Sequence, residues 1–425
     1  MLLSNSAQLG GGASDGLRRA LADCKKVCKH KHNIHHDAVR QLGLDWSPEK
    51  VESWNSKLPT LHLQKLQRNK LYPPPGQFIC KDQEICDPWH HWIMEAKQAD
   101  KWLKCCEPLL LDEAKLVHTV AAHEDTNFYG DLDILGWLEG IVNEAVKSCR
   151  NIWKEDAGHL SIAGFSAGAR SKPEFHWAQN LIRKLAEGTA LQFQQLQASA
   201  FALFWNMLEK RLPKEICNEW RGWISREVMP AMNPLWKSGD PISSRGSYEI
   251  RVLDETVAIH DAQLALPSGV MVQNYARAIH FKRQPHKWSA SHTINHEGFS
   301  DKDGGHFYIS AYGIHIKAAP DTLVIWQPAL YHGTSLQRCD PNRPNPEFLQ
   351  QGLSFVTSPQ LPGIWKHYLE KLEKLEAEAA AGASRAAEEA ATDLFECPDG
   401  PNDIYFEDEP ALQFSSHSAP CSAPA

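Results

Sequence analysis

Five short β-rich segments lie between residues 246 and 358, and no helical segment separates them. Each combines β-branched and aromatic residues, and the connections contain Gly, Pro or Asp, which is typical of short strands joined by tight turns. Strands at this spacing indicate a sandwich or a barrel. The segments are YEIRVLDETVAIH, GVMVQNYA, GHFYISAYGIHIKAA, DTLVIWQPALYH and QGLSFVTS.

The rest of the chain is predicted to be mainly helical. Apolar residues recur at three-to-four spacing between residues 109 and 155 and again between 174 and 237. We therefore predict an α+β fold in which a helical N-terminal region packs on a C-terminal β domain. The expected divisions are a disordered segment 1–16, a mainly helical region 17–240, a β domain 246–360, a helix 362–392 and a disordered acidic tail 393–425.

The composition indicates an intracellular protein that does not enter a membrane. The net charge of −8 argues against binding nucleic acid through bulk positive charge. No apolar stretch is long enough for a transmembrane helix, and the N-terminus lacks the pattern of a signal peptide. The eleven Cys follow no regular spacing, which is typical of reduced thiols. The expected location is the nucleus or the cytoplasm.

An ordered series of short motifs runs through the β region. The motifs are Asn274-Tyr275, Pro285-His286-Lys287, Gly304-Gly305-His306-Phe307, Tyr312-Gly313, Pro320-Asp321-Thr322, His332-Gly333-Thr334 and Gly352-Leu353-Ser354-Phe355. In this order the region resembles a fungal branch of the Fe(II)/2-oxoglutarate dioxygenases, related to the ten-eleven-translocation and base J-binding enzymes that oxidise modified pyrimidines. The resemblance implies a double-stranded β-helix (jelly-roll) domain, Fe(II) and 2-oxoglutarate as cofactors, and DNA or RNA as a partner.

The same resemblance implies a metal site. Mononuclear iron oxygenases hold the metal with two His and one carboxylate, and in this fold the first His and the acid form a His-x-Asp/Glu pair. His286 and His332 stand at the two His positions. Trp288 stands where the acid is expected, so the third ligand is expected to be Asp303 or Glu297 from the following loop.

Two further sets of contacts follow from the resemblance. A cationic residue beyond the second His binds the distal carboxylate of 2-oxoglutarate in this family. Arg343 and Arg338 are the candidates for that role, and Ser354 is a further candidate contact to the cosubstrate. Asn274 and Tyr275 are the candidate substrate contacts.

The Trp at the acid position leaves two functions open. In the first, the chain is an active dioxygenase, and an acid of the 297–303 loop completes its iron site. In the second, the fold persists without the chemistry, and the chain is a pseudoenzyme or binding module with Trp288 in the former metal pocket. The two hypotheses differ in whether a carboxylate lies beside His286 and His332.

A second motif suggests a remote alternative, a serine hydrolase. Residues 164–168 match Gly-x-Ser-x-Gly, the nucleophile elbow in which Ser166 would sit on a sharp strand-to-helix turn. Asp254 or Asp321 would be the acid and His332 the base. The predicted helices before the motif, and a proline soon after it, argue against this fold.

The N-terminal region also contains a group of metal-binding residue types. Cys24 and Cys28 precede four histidines within eight residues. Zinc sites use such side chains, whereas the interleaved lysines favour a solvated basic arm. The histidines are His30, His32, His35 and His36.

Overall fold

The computed structural model describes residues 15–81, 108–120, 133–152, 156–169, 171–237, 239–298, 302–338 and 349–393. Within these ranges the chain has a mixed α+β architecture with several antiparallel sheets. Of the ends expected to be disordered, residues 1–16 and 393–425, the structure describes residues 15, 16 and 393, which belong to helices, and the others lie outside the described residues. No described helix is both long and apolar enough to cross a membrane.

Six α-helices occur in the described ranges. They are α1 (Asp15–Gln41), α2 (Pro48–Asn55), α3 (Ile134–Ser148), α4 (Glu187–Glu209), α5 (Lys214–Glu227) and α6 (Leu361–Asp393). Helix α2 begins where a side chain caps it, because the Ser47 hydroxyl accepts a hydrogen bond from the N–H of Lys50 at 3.3 Å. Helix α6 matches the range predicted for the C-terminal helix to within one residue. The chain forms two compact units, 1–370 and 371–425, and α6 starts in the first unit.

The described strands fall into four sheets. They are β1 (Phe78–Cys80), β2 (Pro108–Leu110), β3 (His118–Val120), β4 (Ala157–Ala169), β5 (Lys172–Trp177), β6 (Arg245–Val252), β7 (Glu255–Gln263), β8 (Ser268–Ala276), β9 (Ser289–Glu297), β10 (Phe307–Ile309), β11 (Ile314–Ile316), β12 (Thr322–Trp326), β13 (His332–Thr334) and β14 (Leu349–Ser354). The largest sheet has the order β12-β9-β14-β8-β4-β5, and a four-stranded sheet has the order β13-β10-β11-β3. Strands β6 and β7 form a hairpin, and β1 pairs with β2.

Two strands in the large sheet come from the region expected to be mainly helical. Strand β4 pairs antiparallel with β8, and β5 pairs with β4, so residues before 240 extend the sheet of the β domain. The segment AGHLSIAGFSAGA is rich in Ala, Gly and Ser, which have low β-propensity. The composition therefore gave no signal of strand β4, which the neighbouring β8 stabilises through backbone hydrogen bonds.

Helix α4 packs its aromatic residues against the large sheet. The rings of Phe204 and Phe355 stack with centroids 5.0 Å apart, and Phe201 and Trp205 also contact Phe355. A Cβ at Gly269 on β8 would lie 2.4 Å from the ring of Phe201, so glycine is needed for this close approach. The aromatic cluster joins the helical layer to β8 and to the residue that follows β14.

The cysteines differ from the expectation of reduced thiols at one described position. Cys24, Cys28, Cys149 and Cys217 are free thiols, whereas Cys80 takes part in a disulfide bond. Spacing along the chain cannot reveal this, because disulfide pairing depends on which cysteines the fold brings together. The intracellular location therefore stays a prediction.

We expect Phe355→Ala to lower the free energy of unfolding by about 3–5 kcal/mol, because the change opens a cavity among rings that cannot collapse into it. Urea unfolding followed by tryptophan fluorescence measures the effect. Leu196→Ala is the matched control, because Leu196 lies on the same helix α4 and is 44% exposed. A loss below about 1 kcal/mol for Phe355→Ala would contradict the proposed role of this cluster.

Candidate functional site

A cavity of about 520 Å³ is lined by residues of both the six-stranded and the four-stranded sheet. We call this space the central cavity. Its volume lies in the range of small-molecule sites. Alternate residues of the strands face it, since successive side chains of a strand point to opposite faces of the sheet. Apolar lining residues include Ile162, Val270, Val272, Ile316 and Val324.

Two histidines meet at the wall of the central cavity. The N–H of His280 donates to the carbonyl oxygen of His332 at 2.8 Å, and the N–H of His332 donates back at 2.8 Å. This antiparallel bridge places the two ring centroids 4.5 Å apart. Directly opposite residues in such a pair project their side chains to the same face. The backbone therefore holds the two imidazoles side by side.

Local hydrogen bonds fix the tautomer of both rings. Nδ1–H of His280 donates to the carbonyl oxygen of Ala278 at 2.9 Å, and Nδ1–H of His332 donates to that of Leu330 at 2.7 Å. A carbonyl oxygen only accepts, so each Nδ1 carries the hydrogen. Each Nε2 thus has a lone pair, has no hydrogen-bond partner among the described residues, and is open to the central cavity.

Burial keeps both imidazoles neutral. It lowers the pKa of His332 to about 4, and the nearby positive charges of Arg277 and Lys282 act in the same direction. The pKa of His280 is lowered well below its usual value, first by burial and then by the neighbouring His332. At neutral pH the two Nε2 atoms are therefore hydrogen-bond acceptors.

Lys282 lies two residues after His280 and lines the same cavity. Its backbone N–H donates to the carbonyl oxygen of Pro328 at 2.8 Å. No residue that the structure describes forms an ion pair or hydrogen bond with its ammonium group. Burial, followed by the charge of Arg277, lowers the pKa of Lys282 to about 8. The group is still mainly charged at pH 7, where it is a cation without a described carboxylate partner.

A second cation of the cavity wall is held in place by a buried acid. The Arg277 Nε atom lies 3.6 Å from Oδ2 of Asp156, and the Tyr275 hydroxyl donates to the same oxygen at 2.8 Å. Burial and the Asp156 charge raise the pKa of Tyr275 well above its usual value, so its hydroxyl keeps its proton. Asp156 itself does not line the cavity. The arrangement presents a positioned guanidinium to the ligand space.

An aromatic wall lies next to His332. The ring centroids of Phe307 and Trp326 are 5.0 Å apart, and those of Trp326 and His332 are 5.6 Å apart. Phe307 also lies 5.9 Å from His332. All three side chains line the central cavity. An apolar group bound there would contact two aromatic rings immediately beside the open Nε2 atoms.

The lining of the central cavity has an uneven charge distribution. Arg277, Lys282 and Lys317 line it, whereas none of its described lining residues is Asp or Glu. Nor do the described ranges contain a group of three or more His, Cys, Asp or Glu side chains arranged to hold a metal ion. The site therefore presents two neutral hydrogen-bond acceptors, two cations close to them and an aromatic surface.

The structure pairs His332 with His280 rather than with His286. His286 is buried outside the cavity lining, where its Nδ1–H donates to the carbonyl oxygen of Trp288 at 2.6 Å and its Nε2 lies 3.0 Å from the Thr357 hydroxyl. Both ring nitrogens are therefore engaged, and the ring packs on Trp223 at 5.0 Å. The structure therefore does not bring His286 into the cavity lining beside His332, as the resemblance led us to expect. Burial lowers the pKa of His286 to about 4.

Trp288 does not occupy a metal pocket either. Its carbonyl oxygen accepts the indole N–H of Trp220 at 2.9 Å, and its half-buried ring packs against the hydrophobic core. The tryptophan at this position is thus part of the contact between α5 and the β region. Trp288 does not line the central cavity.

The candidate acids lie outside the lining of the central cavity, as does the candidate cosubstrate residue Arg338. Asp303 is buried 3.6 Å from the guanidinium of Arg338, and Glu297 is exposed at the end of β9. The central cavity is not lined by Asp303, Glu297 or Arg338, and Arg343 lies outside the described residues. Ser354 does line it, although its hydroxyl donates to the carbonyl oxygen of Ala290 at 2.9 Å.

The two candidate substrate residues have different positions. Tyr275 lines the central cavity, as described above. Asn274 is fully buried with φ 47°, and its Oδ1 accepts the N–H of Gln350 at 2.8 Å. Asn274 therefore supports the edge of β14 and does not face the ligand space.

The serine motif does not form a nucleophile elbow. Residues 164–168 lie inside β4, and the next element is the strand β5 rather than a helix. The Ser166 hydroxyl accepts the N–H of Gly168 at 3.2 Å, and no described histidine contacts it. Asp321 binds His292 at 2.8 Å, and Asp254 is a fully exposed turn residue. The motif is a bulge in a strand, so its geometry gives no support to a serine hydrolase.

The N-terminal Cys and His residues lie along the exposed helix α1. Cys24 and Cys28 are exposed free thiols, and the rings of His32 and His36 lie 5.7 Å apart one helical turn from each other. Side chains spread along one helix face cannot converge on a single ion, which a structural zinc site requires. The arrangement is that of a solvated face.

Sequence reasoning missed His280, Lys282 and the aromatic wall. The available signal was the short apolar run before His280, whose alternation places residues 280 and 282 on one face. A search for His-x-acid passes over His280-Phe281-Lys282, because the third residue has the opposite charge. No protein-family model matches the chain, and no curated protein matches it significantly.

We expect His332 to stay neutral, with Nδ1 protonated, down to about pH 4. Between its usual pKa near 6.5 and about 4, the unfolded chain binds more protons at this residue than the folded chain does. The free energy of unfolding should therefore fall as the pH falls through this window. Histidine-selective ¹H–¹⁵N spectra measure the tautomer and the titration, and His332→Gln assigns the signal. An imidazolium at His332 above pH 6 would contradict the neutral acceptor.

Proposed function

We propose that the chain is a dioxygenase-like β-helix module that binds a small ligand in the central cavity and does not use Fe(II). The observation that carries this proposal is Lys282, which stands two residues after a cavity histidine, where the related enzymes have a carboxylate. We infer that the chain keeps the fold of those enzymes and lacks their metal chemistry. This is the pseudoenzyme alternative with a different residue at the acid position.

The strand order supports a double-stranded β-helix. In a jelly roll, eight consecutive strands are divided between two facing sheets. Strands β8, β9, β12 and β14 belong to the large sheet, and β10, β11 and β13 belong to the smaller one. The segment around His280 pairs with β13, so it supplies the remaining strand position between β8 and β9. On this reading His280 begins the His-x-acid site and His332 is the second histidine.

The two imidazoles fit a metal site, and their surroundings do not. Metal-binding His commonly donate the other ring N–H to a carbonyl oxygen, as His280 and His332 do. A facial site for Fe(II) also needs a carboxylate ligand. The third position instead presents the Lys282 ammonium, and Arg277 adds a second positive charge. Coulomb repulsion and the missing ligand both disfavour a divalent cation there.

The active-dioxygenase hypothesis has less support from the geometry. It requires an acid beside the cavity histidines, whereas Asp303 binds Arg338 and Glu297 is exposed. Iron, 2-oxoglutarate and a nucleic-acid partner are expectations drawn from the resemblance alone. An iron-free ligand-binding module needs no residue beyond those that line the central cavity.

We expect the protein to show no metal-to-ligand absorption band when Fe(II) and 2-oxoglutarate are added without oxygen. Repulsion from the cavity cations and the missing carboxylate are the reasons. The measurement is an anaerobic absorption titration, with calorimetry of Fe(II) alone as a second reading. A saturable band that disappears in His332→Ala would overturn the proposed function.

A charge exchange at one residue tests the assignment of the acid position. Lys282→Asp should create a His-x-Asp pair facing His332, and we expect Fe(II) affinity to rise at least about tenfold, as outer-shell and ligand changes commonly produce. Lys287→Asp is the matched control, because it makes the same change at an exposed residue near the sequence-predicted motif. Equal Fe(II) binding by the two variants would contradict the placement of Lys282 in a β-helix metal position.

A further inference from the structure

The cations that line the central cavity face no acidic side chain among its described lining residues. Lys282 has no ion-pair partner among the described residues, and no described Asp or Glu lines the space around it. Lys282 is half-buried, and a cation that loses part of its hydration without a partner is costly. The Arg277 guanidinium, held by Asp156, acts from the same wall. A ligand with a carboxylate would supply the missing charge and accept hydrogen bonds from both cations.

The two histidines require a different group on the same ligand. Their Nε2 atoms accept hydrogen bonds and cannot donate them, because each Nδ1–H is used by a backbone carbonyl. A second anionic group beside His280 and His332 would face only acceptors. A hydroxyl group can donate to an Nε2 atom. A dianionic phosphate, which carries acceptors on every side, suits this pair less well.

The aromatic wall limits the remainder of the ligand. Phe307 and Trp326 lie beside His332, and aliphatic residues cover much of the remaining lining. A cavity of about 520 Å³ has room for a ring-sized apolar body as well as the polar head. Aromatic ligands gain from offset or edge contacts with such rings in addition to area burial.

We infer that the central cavity binds a hydroxy carboxylate with an aromatic body. Its carboxylate contacts Lys282 and Arg277, its hydroxyl donates to the histidine pair, and its ring packs on Phe307 and Trp326. The inference rests on the proposed function, since it assigns to an anion the position that iron holds in the related enzymes. It names the ligand class that an iron-free module of this kind would take.

Four matched probes separate the contributions of the ligand groups. Isothermal calorimetry with 3-phenyllactate measures the complete ligand, 3-phenylpropanoate lacks the hydroxyl, 3-phenyllactamide lacks the charge, and lactate lacks the ring. We expect 3-phenyllactate to bind most tightly. Loss of the charge should weaken binding at least about tenfold, and loss of the hydroxyl about threefold to tenfold. Loss of the ring should weaken it at least about tenfold.

Variants assign the charge contribution to one residue. Lys282→Met should reduce the preference for 3-phenyllactate over 3-phenyllactamide at least about threefold. This ammonium has no ion-pair partner among the described residues, whereas the charge of Arg277 is already paired with Asp156. Lys287→Met is the control, since Lys287 is exposed and does not line the cavity. It should keep the preference. Circular dichroism and the unfolding midpoint of each variant show that the fold is retained.

The outcomes separate this inference from the proposed function. The anion inference would be overturned if the wild type bound the acid and the amide with equal affinity, or if it did not bind 3-phenyllactate at millimolar concentration. Neither result would change the outcome of the iron titration, which tests the proposed function separately. An undiminished preference for the acid in Lys282→Met would also overturn it. Saturable Fe(II) binding by the wild type would instead remove the proposed function on which the inference rests.

Discussion

The pairing of His280 with His332 through two reciprocal backbone hydrogen bonds determines the geometry of the candidate site. It joins the segment after β8 to β13, which are more than 50 residues apart in the chain. Because directly opposite residues share a face, this bridge alone sets both imidazoles beside each other and directs residue 282 to the same cavity. The bonds from each Nδ1–H to a local carbonyl then orient the rings. Every chemical property of the site follows from that arrangement.

The helical layer keeps this arrangement rigid from the opposite side of the large sheet. Phe355, which follows β14, packs into the rings of α4, and the Trp365 ring on α6 lies 4.6 Å from Phe175 on β5. Dense interiors transmit small displacements instead of absorbing them. The strands that line the cavity are therefore supported along their outer face by aromatic side chains. This explains why so many of the chain's tryptophans lie outside the ligand space.

Local patterns predicted much of the fold and little of the site. The turn at residue 304 requires glycine, since the φ of Gly304 is +86° and a Cβ there would lie 1.8 Å from the Leu336 carbonyl oxygen. Such positions are visible in sequence, as is the helix that begins at Leu361. Strand β4 could not be predicted from its small residues, which have low β-propensity. The partner of His332 could not be predicted either, because it depends on a backbone pairing between segments far apart in the chain. The family resemblance favoured His286, whose ring nitrogens are engaged with the Trp288 carbonyl oxygen and the Thr357 hydroxyl.

A lysine at residue 282 changes the ion that the cavity favours without changing the scaffold. The bridge between His280 and His332 uses backbone atoms, and each Nδ1–H uses a carbonyl oxygen, so neither depends on a bound metal. A carboxylate at 282 would offset part of the positive potential from Arg277, whereas an ammonium adds to it. Two neutral imidazoles cannot compensate for that charge. If the proposed function holds, the backbone geometry around His280 and His332 therefore favours an anion, because residue 282 carries an amine.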